Sequence, residues 1–180
     1  MLVHPFQGRL LANLAILGAI SGPAYAAGMG EKQVAASVGF ALAGGDDSER
    51  PGMQAGVEAS FGFSDAWAGR MAVSSSWQPE PASSSPRQVT ALSLGTVYAL
   101  DVVRWVPFLD LGFSLADLRG DGASSQRLGP QVGLGAEYLL SRRWTLAALA
   151  SFDYFVLRLR GPGGAHPWLA CAALRIGRVF

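Results

Sequence analysis

The 180-residue chain contains one cysteine, Cys171, so no intramolecular disulfide can form and the fold must be closed by packing and backbone pairing. Cys171 reads as a small buried hydrophobe with nothing basic beside it to make a reactive thiolate. Charge is also scarce. Only 15% of residues are charged, 14 basic against 13 acidic, which excludes an acidic tail or a disordered chain. It also excludes a general nucleic-acid binder, which needs a clustered basic excess. Past Ala27 no stretch approaches the ~18 consecutive apolar residues of a membrane-spanning helix. Yet half the residues are hydrophobic and mean hydropathy is +0.27, despite 23 glycines.

Part of that hydropathy sits at the N-terminus. Arg9 precedes the apolar run LLANLAILGAISG (10–22), and Ala24, Tyr25 and Ala26 form a small-x-small cleavage pattern. These features predict a secretory signal peptide over residues 1–26 and one mature domain over 27–180.

The mature chain alternates with a period of two, through eight segments. Val34, Ala36, Val38, Phe40 and Leu42 share one face of the first, opposite Ala35, Ser37, Gly39 and Ala41. The same contrast recurs around Val57 to Phe63, Trp67 to Trp77, Leu92 to Leu100, Leu109 to Leu115, Val132 to Leu140, Leu146 to Tyr154 and Trp168 to Phe180. Segments of this length suit tilted strands crossing a bilayer. Connectors alternate too. FSDAW (63–67), LDVVRW (100–105) and LSRRW (140–144) are tight turns, whereas 44–52, 78–88, 117–129 and 157–165 are longer polar stretches. An up-and-down meander sends every second connection to the same end, so the pattern predicts an all-β, eight-stranded antiparallel up-and-down barrel with both termini at the tight-turn end, the periplasmic end in outer-membrane barrels.

A soluble barrel with its apolar face inward would need a polar outer face. Here the less apolar face is Gly, Ala and Ser with six charges: Glu58, Arg70, Asp110, Glu137, Asp153 and Arg175. The apolar face has no charge until Arg178, as lipid contact demands when a mid-bilayer cation costs about 2–4 kcal/mol. The apolar face is therefore expected outside. Phe63, Trp67, Tyr98, Trp105, Tyr138, Trp144 and Phe180 fall at the tight-turn end, and Trp77, Tyr154 and Trp168 toward the loop end, the placement of two interfacial aromatic girdles.

Residues 34–180 resemble the small eight-stranded outer-membrane β-barrel family, which includes the barrel of outer membrane protein A and the outer membrane proteins X and W. The resemblance rests on the WLACAALRIGRVF ending, on turn segments such as GAEYLLSRRW and on the strand and loop rhythm. It implies a cell outer-membrane location, partnership with outer-membrane lipid and lipopolysaccharide, and recognition of Leu174, Ile176 and Phe180 by the barrel-assembly machinery. Arg178 departs from the apolar or aromatic residue the family favours at its position. The resemblance also implies an ion-pair network inside the barrel.

The six inward charges are costly alone in a low-dielectric interior, so arginine to carboxylate pairing across the lumen is expected, as a plug rather than a solute path. Arg119, Arg127, Arg158 and Arg160 fall in the third and fourth loops, where guanidinium groups suit lipopolysaccharide phosphates or stand as solvated charge. Asp46, Asp47 and Glu49 lack the ligand spacing of a calcium loop, so no metal and no cofactor are expected. Some barrels of this size modify lipid A; His166 is the only histidine after the expected signal peptide and a grouping with Ser151 and Asp153 is conceivable, but His166 before Pro167 reads as an ordinary loop residue. The expectation is a non-enzymatic, monomeric barrel with a structural or surface-interaction role. A narrow channel or transporter is the alternative, and a lipid A-modifying enzyme a third reading.

Overall fold

A computed structural model describes residues 29–45, 49–79, 87–100, 105–120, 123–161 and 167–180. The expected signal peptide, Asp46, Asp47 and His166 lie outside the described residues. The strands are β1 (Lys32–Gly44), β2 (Arg50–Gly62), β3 (Trp67–Gln78), β4 (Arg87–Ala99), β5 (Trp105–Gly120), β6 (Ala123–Leu139), β7 (Trp144–Tyr154), β8 (Leu157–Arg160) and β9 (Trp168–Val179). Each pairs antiparallel with its sequence neighbour, except that β8 and β7 both pair with β6, and β9 pairs with β7 and β1. The β1·β9 ladder runs from Gln33↔Val179 to Gly44↔Trp168 and closes the sheet into an eight-stranded barrel, with β8 continuing the line of β7. Among the described residues no helix is long and apolar enough to cross a membrane; the candidate crossing is by strands.

Side-chain exposure follows the two-residue period. Phe40, Phe113, Leu134 and Leu174 are each 60–74% exposed, while their neighbours Ala41, Ser114, Gly133 and Ala173 are buried. Large apolar side chains thus point out and small or polar ones in, an inside-out arrangement stable only against lipid. Trp67 meets Tyr98, and Trp105 meets Tyr138, each with ring centroids 4.9 Å apart at the tight-turn end. Phe152 stacks on Trp168 at 5.9 Å toward the other end.

Two of the tight turns share one device. In the β2–β3 turn the Ser64 hydroxyl accepts from the backbone N–H of Trp67 at 3.0 Å, and in the β6–β7 turn Ser141 accepts from Trp144 at 3.2 Å. A serine three residues before a girdle tryptophan supplies the acceptor that a short reversal would otherwise lack.

The long connectors depart from expectation. Most of 117–129, read as a polar loop, continues the ladder: β5 and β6 remain paired from Trp105↔Tyr138 to Gly120↔Ala123. Residues 157–160 join as β8, after a break at Phe155 and Val156. β6 spans 17 residues where a tilted crossing takes about 9–11, so this three-stranded sector projects well past the lipid band. Polarity on both faces reads as loop in a sequence, but it is also what a hairpin surrounded by water requires.

Candidate functional site

Period-two alternation brings one inward residue from each strand to the same depth, and the charged ones meet near the tight-turn half of the lumen. Arg70 on β3 contacts Glu58 on β2 (Nη1 to Oε2, 3.2 Å) and Asp110 on β5 (Nη2 to Oδ2, 2.6 Å). It also donates to Gln131 Oε1 on β6 at 3.0 Å. Arg175 on β9 contacts Glu58 Oε1 and Glu137 Oε2, both at 2.5 Å. Glu137 further accepts from Gln33 Nε2 on β1 at 3.1 Å, and Gln33 donates to Thr145 Oγ1 on β7 at 2.8 Å. Asp110, Arg70, Glu58, Arg175 and Glu137 therefore form one alternating chain of charge, with Glu58 shared between both guanidinium groups. Five strands supply these charges, and Gln33 and Thr145 extend the network to β1 and β7; β4 is tied in higher up, where Ser93 and Ser114 hydroxyls lie 2.6 Å apart.

Small and flat side chains make the space. A Cβ on Gly177 would lie 2.7 Å from both Gln33 Nε2 and Thr145 Oγ1, so only glycine leaves room for that link. A Cβ on Gly135 would stand 2.5 Å from the tip of the Phe108 ring. Phe108 in turn lies under the Arg175 guanidinium, 4.9 Å from its centroid, adding a cation–π contact in a desolvated place.

The lumen is layered around this chain. On the tight-turn side an open vestibule is lined by Trp67, Val97, Ala99, Val106 and Val179 above the two arginines. On the loop side lies a smaller polar chamber with Ser93, Gln131, Ser151, Asp153 and Cys171. Above that, Ala41, Val89, Ala116, Leu118, Phe155 and Leu169 form an apolar cluster in which Phe155 is 1% exposed. Phe155, at the break between β7 and β8, turns inward and its backbone N–H donates to Pro167 O at 3.0 Å. A charged layer and an apolar layer thus cross the bore in series.

Asp153 is not part of the ion-pair chain. It is buried in the polar chamber, and the Arg70 guanidinium has turned to Glu58, Asp110 and Gln131 instead. Conversely Gln33, Thr145, Gln131 and Phe108 belong to the site although only charged residues were expected there; their inward parity was the available signal. Arg127 is a second correction. It sits within β6 on the inward face, 7% exposed, because the hairpin that continues past the bilayer keeps its strand alternation. Arg119 lies in β5, exposed but bound to Asp117 at 2.7 Å. Arg158 and Arg160 are exposed on β8. Leu174 and Ile176 are exposed on the outward face of β9, and the Phe180 N–H donates to Lys32 O at 2.8 Å. Among the described residues no cluster of His, Cys, Asp and Glu could hold a metal ion.

A closed eight-stranded barrel with an apolar exterior and a charged interior is the architecture of the outer-membrane β-barrel class. No protein-family model and no curated protein matches the chain. Solved structures do. Neisserial surface protein A is similar over 83% of this chain and 98% of its own, at 15% identity and a TM-score of 0.71. Ail, the attachment invasion locus protein of Yersinia pestis, is similar over 84% and 99%, at 13% identity and 0.55. The outer membrane enzyme PagL is similar over 81% and 97%, at 14% identity and 0.53. The chain has the fold of the small eight-stranded outer-membrane barrels.

Proposed function

We propose that the protein is an integral outer-membrane barrel with a structural or surface-interaction role and a bore that does not conduct. The observation that carries this reading is the lumen itself. Arg70 and Arg175 span it with their carboxylate partners, and the Phe155 cluster blocks it again toward the loops. A signal peptide over 1–26 and an even strand count support periplasmic termini, and in that orientation the β5–β6–β8 sector faces outward from the cell. There the exposed Arg158 and Arg160 are suited to lipopolysaccharide phosphates, and Arg119 joins them when it exchanges Asp117 for a phosphate. Leu174, Ile176 and Phe180 are the residues offered to the barrel-assembly machinery. The barrel works as a monomer.

Reconstitution into planar bilayers tests the main claim: no discrete channel events are expected from the intact protein, and steady single-channel conductance would replace this reading with the narrow channel. The fold similarity to PagL makes an enzyme assay a necessary companion. Ser151 and Asp153 both line the polar chamber, below the Phe155 cluster and away from lipid headgroups, a poor location for an acyl substrate. No deacylation of lipid A is expected; activity that disappears in His166→Ala would overturn the non-enzymatic assignment.

A further inference from the structure

Arg178 is the one charge on the otherwise apolar outward face of β9, and its surroundings give it a purpose. It is exposed on β9, in register with Trp144 on β7 and Val34 on β1. Its guanidinium carbon lies 5.0 Å from the Phe180 ring centroid and 5.9 Å from that of Trp144. Two aromatic rings of the tight-turn girdle thus hold a cation at headgroup depth, where such rings settle in a bilayer. The adjoining β6–β7 turn adds Arg142 and Arg143, both exposed, and the Arg143 carbonyl accepts from Val179 N–H at 2.9 Å, which fixes that turn beside Arg178. Among the described residues no carboxylate forms an ion pair with Arg142, Arg143 or Arg178, whereas Arg70, Arg119 and Arg175 all have one. The three remain available to an external anion.

We infer that Trp144, Arg178, Phe180 and the Arg142–Arg143 turn form a binding site for the phosphate of an anionic glycerophospholipid. Arg178 supplies planar, paired donors to the phosphate, the turn arginines reach it from the aqueous side, and the exposed Leu174, Ile176 and Leu146 below them receive the acyl chains. The choice of glycerophospholipid over lipid A rests on the periplasmic placement of the tight turns proposed above.

The test uses a full-length variant keeping only Trp144 (Trp67, Trp77, Trp105 and Trp168 replaced by Phe), folded into phosphatidylcholine vesicles doped with brominated phosphatidylglycerol. Quenching of Trp144 should exceed that of matched brominated phosphatidylcholine, corresponding to about five-fold local enrichment. Arg178→Gln should return quenching to the bulk value and Arg142→Gln/Arg143→Gln should lower it, while Arg158→Gln at the opposite end should not change it. Equal quenching by the two lipids, or enrichment that survives both the Arg178 and the turn variants, overturns the site. Displacement of the brominated lipid by an equal mole fraction of lipid A overturns the choice of lipid and, with it, the assigned orientation. Insertion is scored separately by the heat-shifted gel band, so a barrel that fails to enter vesicles refutes the membrane assignment and not the site.

Discussion

Arg70→Met puts the charge chain to its most direct test. Among the described residues Arg70 is the only cation paired with Asp110, and Asp110 is 3% exposed. Glu58, by contrast, keeps Arg175 when Arg70 is removed. Methionine fills a similar volume, so the change leaves one buried carboxylate without a counter-charge and Gln131 without its donor. Removing one partner of a buried pair costs about 3–5 kcal/mol. Asp110→Asn in the same chain deletes the stranded charge, and the double variant should regain about 2 kcal/mol or more of that loss, a strongly non-additive cycle. Glu58→Gln should cost less than Arg70→Met, because each arginine retains an acid, Asp110 for Arg70 and Glu137 for Arg175. Guanidinium unfolding of vesicle-embedded protein, followed by tryptophan fluorescence, measures the parent, both single variants of the cycle, the double variant and Glu58→Gln. An Arg70→Met variant within about 1 kcal/mol of the parent, or a double variant showing the plain sum, would mean that water screens the lumen and the ion pairs do not hold the wall.

Phe155→Ala should cost about 3–5 kcal/mol in the same assay yet leave bilayers silent, because the Arg70 and Arg175 layer still crosses the bore; conductance in that variant alone would show that the apolar layer is the sole seal. Phe113→Arg, at a 64% exposed site in the lipid band, is expected to destabilise by about 2–4 kcal/mol, and a neutral result there would contradict the outward assignment of that face. Gly135→Ala drives a methyl into Phe108 and the Ala148 carbonyl and should lower stability by about 1–3 kcal/mol, read as a lower temperature for loss of the heat-shifted band. Ser141→Ala removes the acceptor for Trp144 N–H at an exposed turn, so a loss of only about 0.5–1.5 kcal/mol is expected, and a larger one would point to a role beyond the turn.

Barrel closure, strand order and sidedness were legible in the sequence because lipid imposes a strict rule on alternate residues. Phe40, Leu94, Phe113 and Leu174 obey it without exception. Beyond the lipid band the rule lapses: Asp117 to Gly129 is polar on both faces, so nothing in its pattern separates a hairpin from a loop. The Asp121-Gly122 pair, a common two-residue hairpin turn, was the remaining clue. Within the lumen, parity identifies which residues face inward but not how deep each one sits. Depth depends on the stagger between strands, and Asp153, the cross-strand partner of Gln131, lines the same chamber as Arg70 while the guanidinium pairs with Glu58 and Asp110 and donates to Gln131. Arg127 was misplaced with its loop for the first of these reasons. Phe108 was overlooked because an aromatic on the inner face carries no charge to mark it.

The pairing of Gln33 with Val179 and of Gly44 with Trp168 has a kinetic meaning as well. Nearly every other ladder joins strands that are adjacent in the chain and can form soon after their turn does. The β1·β9 seam alone must wait until both extremes of the domain have been delivered to the same place. Until then a sheet with two bare edges exists, each able to recruit a foreign strand. Ring closure is accordingly the step at which this chain is most exposed to misassembly, and holding β1 open for β9 is the service that a folding catalyst would have to provide.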